Sequence, residues 1–425
     1  MPSLKTNCGG IISPNPFWLA SAPPANSGLQ VQRAFEGGWG GAVWKTLGQP
    51  IQNVSSRFGA IRWKGNNGVG FNNIELITDR SLEKNFAEIA ETKRLFPEHA
   101  VVVSLMVETR DEWREIIKRS EDAGADGIEL NFGCPHGMCE RGMGSAVGQE
   151  PAVNERITSW AKEFSNIPVL VKLTPNVGDI VPHGLAAQAG GGDGVSLINT
   201  VKSIIGVDID NFIPMPVVGN QSSNGGYCGA AVRPMALHMV AALTRDARFN
   251  IPISGIGGIT NWRDAVEFIL LGSSSVQVCT EVMLRGYRIV EDMNEGLLNY
   301  MRDKGFETID EMVGKAIPAY KDWGDLDLNF ETVAEINAET CIGCQLCLVA
   351  CHDGAHQCIH PDPDPNVRVP TIELEECVGC NLCQIVCPVP DCITMVEVNN
   401  GFEPATWNDH VADGAPLRPK KGIHH

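Results

Sequence analysis

A chain of 425 residues, 43% of them hydrophobic, can bury two or three cores at roughly 150 residues per domain, although one α/β barrel can absorb about 250. Its net charge of −18, from 33 Lys and Arg against 51 Asp and Glu, repels phosphate backbones and argues against nucleic acid as a partner. No run of about 20 apolar residues offers a membrane span, and Met1 to Gly10 lacks the charged-then-apolar layout of a signal peptide, so a cytoplasmic protein is expected.

Short apolar strands alternate with amphipathic stretches through the first three hundred residues. Strands are expected near Phe17–Ser21, Gly41–Lys45, Val101–Met106, Gly127–Asn131, Val169–Leu173, Gly194–Asn199, Ile251–Gly255 and Ser275–Cys279. Helical periodicity marks Leu82–Arg94, Arg110–Ala123, Pro234–Thr244 and Trp262–Leu271 between them. Eight strands with helical crossovers is the count of a TIM, or (β/α)8, barrel. An open doubly wound sheet is the alternative, but it would put a Gly-rich phosphate turn after its first strand, and none follows Phe17–Ser21. The expected division is a barrel over residues 1–315, a linker over 316–336, a two-cluster ferredoxin-like α+β domain over 337–400 and a tail over 401–425.

Function in a barrel gathers at the C-terminal ends of the strands. Those ends are unusually polar here: Lys45-Thr46, Asn131, Lys172, Asn199-Thr200, Gly257-Gly258 and Cys279-Thr280. The turn around Ile256, Gly257 and Gly258 lacks the spacing of a dinucleotide fold. It suits a single phosphate held by backbone N–H groups, with Cys279-Thr280 completing the cradle. FMN fits this turn, and a sugar-phosphate substrate is the competing ligand. After the fourth strand, Gly133, Gly137, Gly142, Gly144 and Gly148 mark a mobile, lid-like loop. Cys134 heads it and could serve as proton donor or nucleophile; His136 and Cys139 read as lid structure.

Fifteen cysteines without an export signal point to metal ligation rather than disulfides. Eight fall into two matching C-x2-C-x2-C-x3-C runs, Cys341, Cys344, Cys347, Cys351 and Cys377, Cys380, Cys383, Cys387, the second starting 36 positions after the first. Three closely spaced thiolates grip one four-iron cube, and the fourth normally ligates the other cluster. One [4Fe-4S] cluster is therefore expected on Cys341, Cys344, Cys347 and Cys387, the other on Cys377, Cys380, Cys383 and Cys351. Zinc sites want pairs of cysteines, not triplets with an outlier. Packing is the default role for Cys8, Cys228, Cys358 and Cys392.

The segments Asn131-Phe-Gly-Cys-Pro-His-Gly137, Lys172-Leu-Thr-Pro-Asn176 and Asn199-Thr-Val201, with the paired cluster runs, resemble the dihydropyrimidine dehydrogenases, in particular the pyrimidine-reducing subunit of bacterial NAD-dependent enzymes. The resemblance runs from about Asn15 to Thr394. The barrel alone is also similar to dihydroorotate dehydrogenases. By this resemblance Lys45, Thr46, Lys172, Gly229, Ile256, Gly257, Gly258, Cys279 and Thr280 would bind FMN. Asn73, Glu75, Asn131, Asn199 and Thr200 would face uracil or thymine, and Cys134 would be the general acid for reduction of the 5,6 double bond. The chain has no motif for FAD or NADPH, so the resemblance implies a hetero-oligomer with a separate FAD- and NADH-binding electron-input subunit. The acidic stretch Asp322–Glu335 is a candidate docking element. A dihydroorotate dehydrogenase-like enzyme and a non-catalytic electron-transfer subunit are the alternative readings.

Overall fold

The computed structural model describes residues 2–63, 66–134, 142–364 and 366–419. The chain divides into two units, Met1–Pro318 and Ala319–His425.

In the first unit eight parallel strands close into a barrel: β1 (Phe17–Leu19), β2 (Gly41–Leu47), β3 (Ala100–Leu105), β4 (Gly127–Asn131), β5 (Val169–Lys172), β6 (Gly194–Leu197), β7 (Ile253–Ile256) and β8 (Ser273–Val278). Neighbours follow chain order, and β8 pairs back onto β1 through Val276↔Phe17. Every expected strand is present with its ends shifted by one or two residues. The reason is burial on both faces: β2 and β3 are buried at every position, and parallel strands of this kind read as unbroken apolar runs. The four expected helices form at Leu82–Leu95, Arg110–Asp122, Arg233–Arg245 and Trp262–Leu270. Three have side-chain N-caps: Ser81, Asn261 and Thr109, the last in a capping box with Glu112. Their apolar faces join the strands in one continuous core that includes Trp44, Trp113, Phe132 and Phe268.

A second, four-stranded antiparallel sheet was not anticipated. It runs Val201–Ser203, Gly225–Cys228, Asn66–Asn73, Phe58–Trp63 and is inserted after β2 and β6. Its Asn- and Gly-rich strands have poor β-propensity, so only pairing across the insertions makes them strands. It sets Asn73 opposite both Phe58 and Gly226.

The second unit is a pseudo-repeat. Helices Leu346–His352 and Leu382–Val386 follow equivalent turns, in which Gln345 and Asn381 both take left-handed backbone, φ 64° and 56°. Strand Thr332–Ile336 pairs antiparallel with Ile393–Glu397, and Ile359–His360 with Thr371–Ile372. The interval expected as a linker therefore ends in a strand of this unit, because residues 332–336 supply half of a two-stranded ladder. The tail is also tied down: it contains helix Trp407–Asp413, and Asn329 Nδ2 donates to the carbonyls of Glu403 (2.7 Å) and Pro416 (3.0 Å). Among the described residues no helix is long and apolar enough to cross a membrane.

Candidate active site

An open cavity lies at the C-terminal ends of the barrel strands. All fifteen residues expected to hold FMN, substrate or the transferred proton line it: Lys45, Thr46, Asn73, Glu75, Asn131, Cys134, Lys172, Asn199, Thr200, Gly229, Ile256, Gly257, Gly258, Cys279 and Thr280. They sit in the last residues of strands or in the loops and helix start that follow them, which is why residues far apart in sequence converge. Phe58, Phe71, Tyr227 and Cys228 also line it. They come from the inserted sheet, and only recognition of that sheet in the sequence would have placed them.

A hydrogen-bonded chain fixes the carboxamides. The Thr200 N–H donates to Asn199 Oδ1 (2.8 Å), Asn199 Nδ2 to Asn131 Oδ1 (2.9 Å) and Asn131 Nδ2 to Thr46 Oγ1 (3.0 Å). Thr46 in turn contacts Ser104 and Ser21 hydroxyls at 2.9 and 3.1 Å. Asn73 Nδ2 donates to the Gly226 carbonyl at 3.2 Å, and Glu75 pairs with Lys45 and lies 3.7 Å from Arg57 Nε. These groups form a polar end of alternating donors and acceptors, suited to a ring of C=O and N–H groups.

The opposite end is a glycine turn. Gly257 and Gly258 have φ +131° and +75°, and a Cβ on Gly258 would meet Gly229 O at 2.8 Å. The cavity therefore needs bare backbone here, as a phosphate cradle does. Thr280 and Cys228 close its side, their Oγ1 and Sγ 3.3 Å apart. Burial pushes the Cys279 thiol up to about 12 and the Cys228 thiol up to about 11, which makes both poor proton donors near neutral pH.

Beneath the cavity the barrel interior is polar. Glu129 is fully buried, and Lys172 Nζ is 3.5 Å from its Oε1, an oxygen that accepts no hydrogen bond among the described residues. Gln277 Nε2 reaches Glu129 Oε2 (3.0 Å), Ser254 Oγ (3.1 Å) and Ser196 Oγ (3.2 Å). Removing one partner of a buried ion pair strands the other charge. Lys172→Met should therefore cost about 3–5 kcal/mol in urea unfolding of the flavin-free protein. The double variant Lys172→Met/Glu129→Leu should recover most of that; a single variant as stable as the parent would show that Glu129 carries no buried charge.

Cys134 is buried among Ile77, Met106 and Met143, and its carbonyl accepts the Ser145 N–H at 3.0 Å. Much of the loop it heads, including His136, Gly137 and Cys139, lies outside the described residues. In the second unit one cavity is lined by Cys351, Cys377, Cys380 and Cys383, another by Cys341, Cys344, Cys347 and Cys387. These are the two crossed sets expected from the spacing. Of the four cysteines assigned to packing, Cys8 sits in the barrel core and Cys358 and Cys392 in the core of the second unit, where they also line the two cavities; Cys228 lines the active-site cavity.

A model of the dihydroorotate dehydrogenase family matches residues 3–301, and one for a 4Fe-4S dicluster domain matches residues 334–395. Over 350 residues the chain is 43% identical to the NAD-dependent dihydropyrimidine dehydrogenase subunit PreA of Escherichia coli, covering 82% of this chain and 85% of that protein. It is 38% identical over 339 residues to the chloroplastic dihydropyrimidine dehydrogenase (NADP(+)) of Arabidopsis thaliana, covering 76% and 79%. Identity is 36% over 321 residues, covering 74% and 98%, with the catalytic subunit of dihydroorotate dehydrogenase B (NAD(+)) from Pyrococcus horikoshii.

Proposed function

The chain belongs to the dihydroorotate dehydrogenase family of oxidoreductases and carries a 4Fe-4S dicluster domain, and from that premise we propose that it reduces uracil or thymine to the 5,6-dihydropyrimidine as the catalytic subunit of a dihydropyrimidine dehydrogenase. The observation that carries this reading is the polar end of the cavity, where Asn73, Glu75, Asn131, Asn199 and Thr200 meet. Its two cations are already engaged, Lys45 by Glu75 and Lys172 by Glu129. With both cations paired to carboxylates, carboxamides are the groups left to meet the substrate, and their donors and acceptors match the C=O and N–H rim of a neutral pyrimidine.

The residues fit the family's FMN: the glycine turn with Gly229 and Thr280 would take its phosphate, and Lys45, Thr46 and Lys172 its ring. FMN, when bound, supplies hydride chemistry to the substrate and accepts electrons singly from iron–sulfur clusters. The remaining work belongs to the chain. The carboxamides orient the pyrimidine by satisfying its C=O and N–H rim. Lys172, held by Glu129, would place a cation where the flavin ring is held. Cys134 holds a proton and delivers it to C5, an ordinary thiol being protonated at pH 7. The two cysteine-lined cavities would hold the [4Fe-4S] clusters, and their electrons would come from a separate FAD- and NADH-binding subunit. The similarity to a protein named as a subunit supports that partner.

The test is a substrate screen. Dithionite-reduced protein should be reoxidised rapidly by uracil and thymine and not by orotate, followed by flavin absorbance. Rapid reoxidation by orotate alone would overturn the assignment. The purified chain should contain about eight irons, as two four-iron clusters require; four would leave one cavity without a cluster.

A further inference from the structure

Each cysteine-lined cavity of the second unit contains one thiol more than a four-iron cluster uses. Cys358 shares its cavity with Cys351, Cys377, Cys380 and Cys383, and Cys392 shares the other with Cys341, Cys344, Cys347 and Cys387. The two extra thiols occupy equivalent places. Each directly precedes an isoleucine that opens a strand, Ile359 or Ile393, and each is buried, at 4% and 2% exposure. In sequence Cys358 follows the first run by seven positions and Cys392 follows the second by five. Cys358 Sγ is 3.5 Å from that of Cys351, and Cys377 lines the same cavity. Cys392 lines the same cavity as Cys387 and Cys341. A cysteine that only filled space would not need to recur beside both sets of ligand cysteines.

We propose that Cys358 and Cys392 are potential-setting residues: each stays a thiol and donates its S–H to a ligand thiolate of the cluster beside it. This rests on the crossed assignment of the two clusters. A hydrogen bond to a ligand sulfur stabilises the more negative, reduced cluster and so raises its potential. The two positions differ in one respect. Cys392 Sγ also points to the Asn337 carbonyl, 3.7 Å away, which competes for its single proton. Cys358 therefore has the larger effect.

The experiment is an EPR-monitored redox titration of the full chain with its clusters loaded, alongside iron analysis. Cys358→Ala should keep about eight irons and shift one cluster to a lower midpoint potential, leaving the other in place. Cys358→Ser, which restores a donor, should move that midpoint back. Cys392→Ala should shift the other cluster in the same direction by less. Cys358→Val fills the space without a donor and should behave as the alanine variant does, so a poorly folding Ala variant does not end the test. Unchanged midpoints in the Ala and Val variants would overturn the proposal. Loss of four irons would also overturn it, by making Cys358 a ligand. If the parent chain itself lacks eight irons, the cluster assignment fails instead.

Discussion

Cys134→Ala is expected to bind FMN as the parent does and to reduce uracil about 10²–10⁴-fold more slowly, the usual contribution of a positioned general acid. The position separates chemistry from folding. The Cys134 carbonyl is held by the Ser145 N–H and its side chain packs against Ile77, Met106 and Met143, so alanine removes one sulfur from an apolar wall and leaves the backbone anchored. The other two thiols lining the cavity cannot substitute, since burial raises Cys228 and Cys279 to about 11 and 12. Cys134→Ser should fall between parent and alanine variant, because a hydroxyl is a weaker acid than a thiol. The measurement is single-turnover oxidation of the reduced flavin by uracil, with FMN content determined on the same sample. Turnover undiminished in the alanine variant would remove Cys134 from the mechanism.

Gly258→Val should strip the flavin while leaving the iron. At φ +75° a β-branched residue is strained, at a cost of about 1–3 kcal/mol. If the flavin-free turn relaxes and binding must restore the strained conformation, the loss is roughly 5- to 140-fold in FMN affinity at about 1.4 kcal/mol per tenfold. The new Cβ would also press on Gly229 O at 2.8 Å and Arg233 N at 2.9 Å, backbone atoms that cannot swing aside. FMN measured after gel filtration should fall well below one per chain, and iron should stay near eight because the clusters belong to the other unit. Full flavin occupancy would show that this turn does not hold the phosphate.

The barrel was legible because its strands are buried on both faces. Val101, Val102 and Val103 leave little choice of element, and the polar residue that ends such a run marks the rim. Asn131, Lys172 and Asn199-Thr200 could thus be picked out from local sequence alone. Asn73 and Glu75 could not, because the strand Asn66–Asn73 has no periodic apolar signal and exists only through its partners Phe58–Trp63 and Gly225–Cys228. They came from family resemblance. The cysteine runs announced their sets by spacing, whereas Cys358 and Cys392 carry no spacing signal. Only the strands opening at Ile359 and Ile393 show that they turn inward. Glu129, in the middle of an apolar strand, gave no hint of the polar network inside the barrel.

The crossing of the cysteine sets has a consequence for how the protein is made. One cavity takes Cys351 together with Cys377, Cys380 and Cys383; the other takes Cys341, Cys344 and Cys347 together with Cys387. A ribosome that has reached residue 376 has synthesised all four cysteines of the first run, and they complete neither cavity. Both sets close within five residues of each other, at Cys383 and Cys387. If the clusters bind these crossed sets, loading would wait until the repeat has folded onto itself, and the two clusters would enter, or fail to enter, a single finished unit.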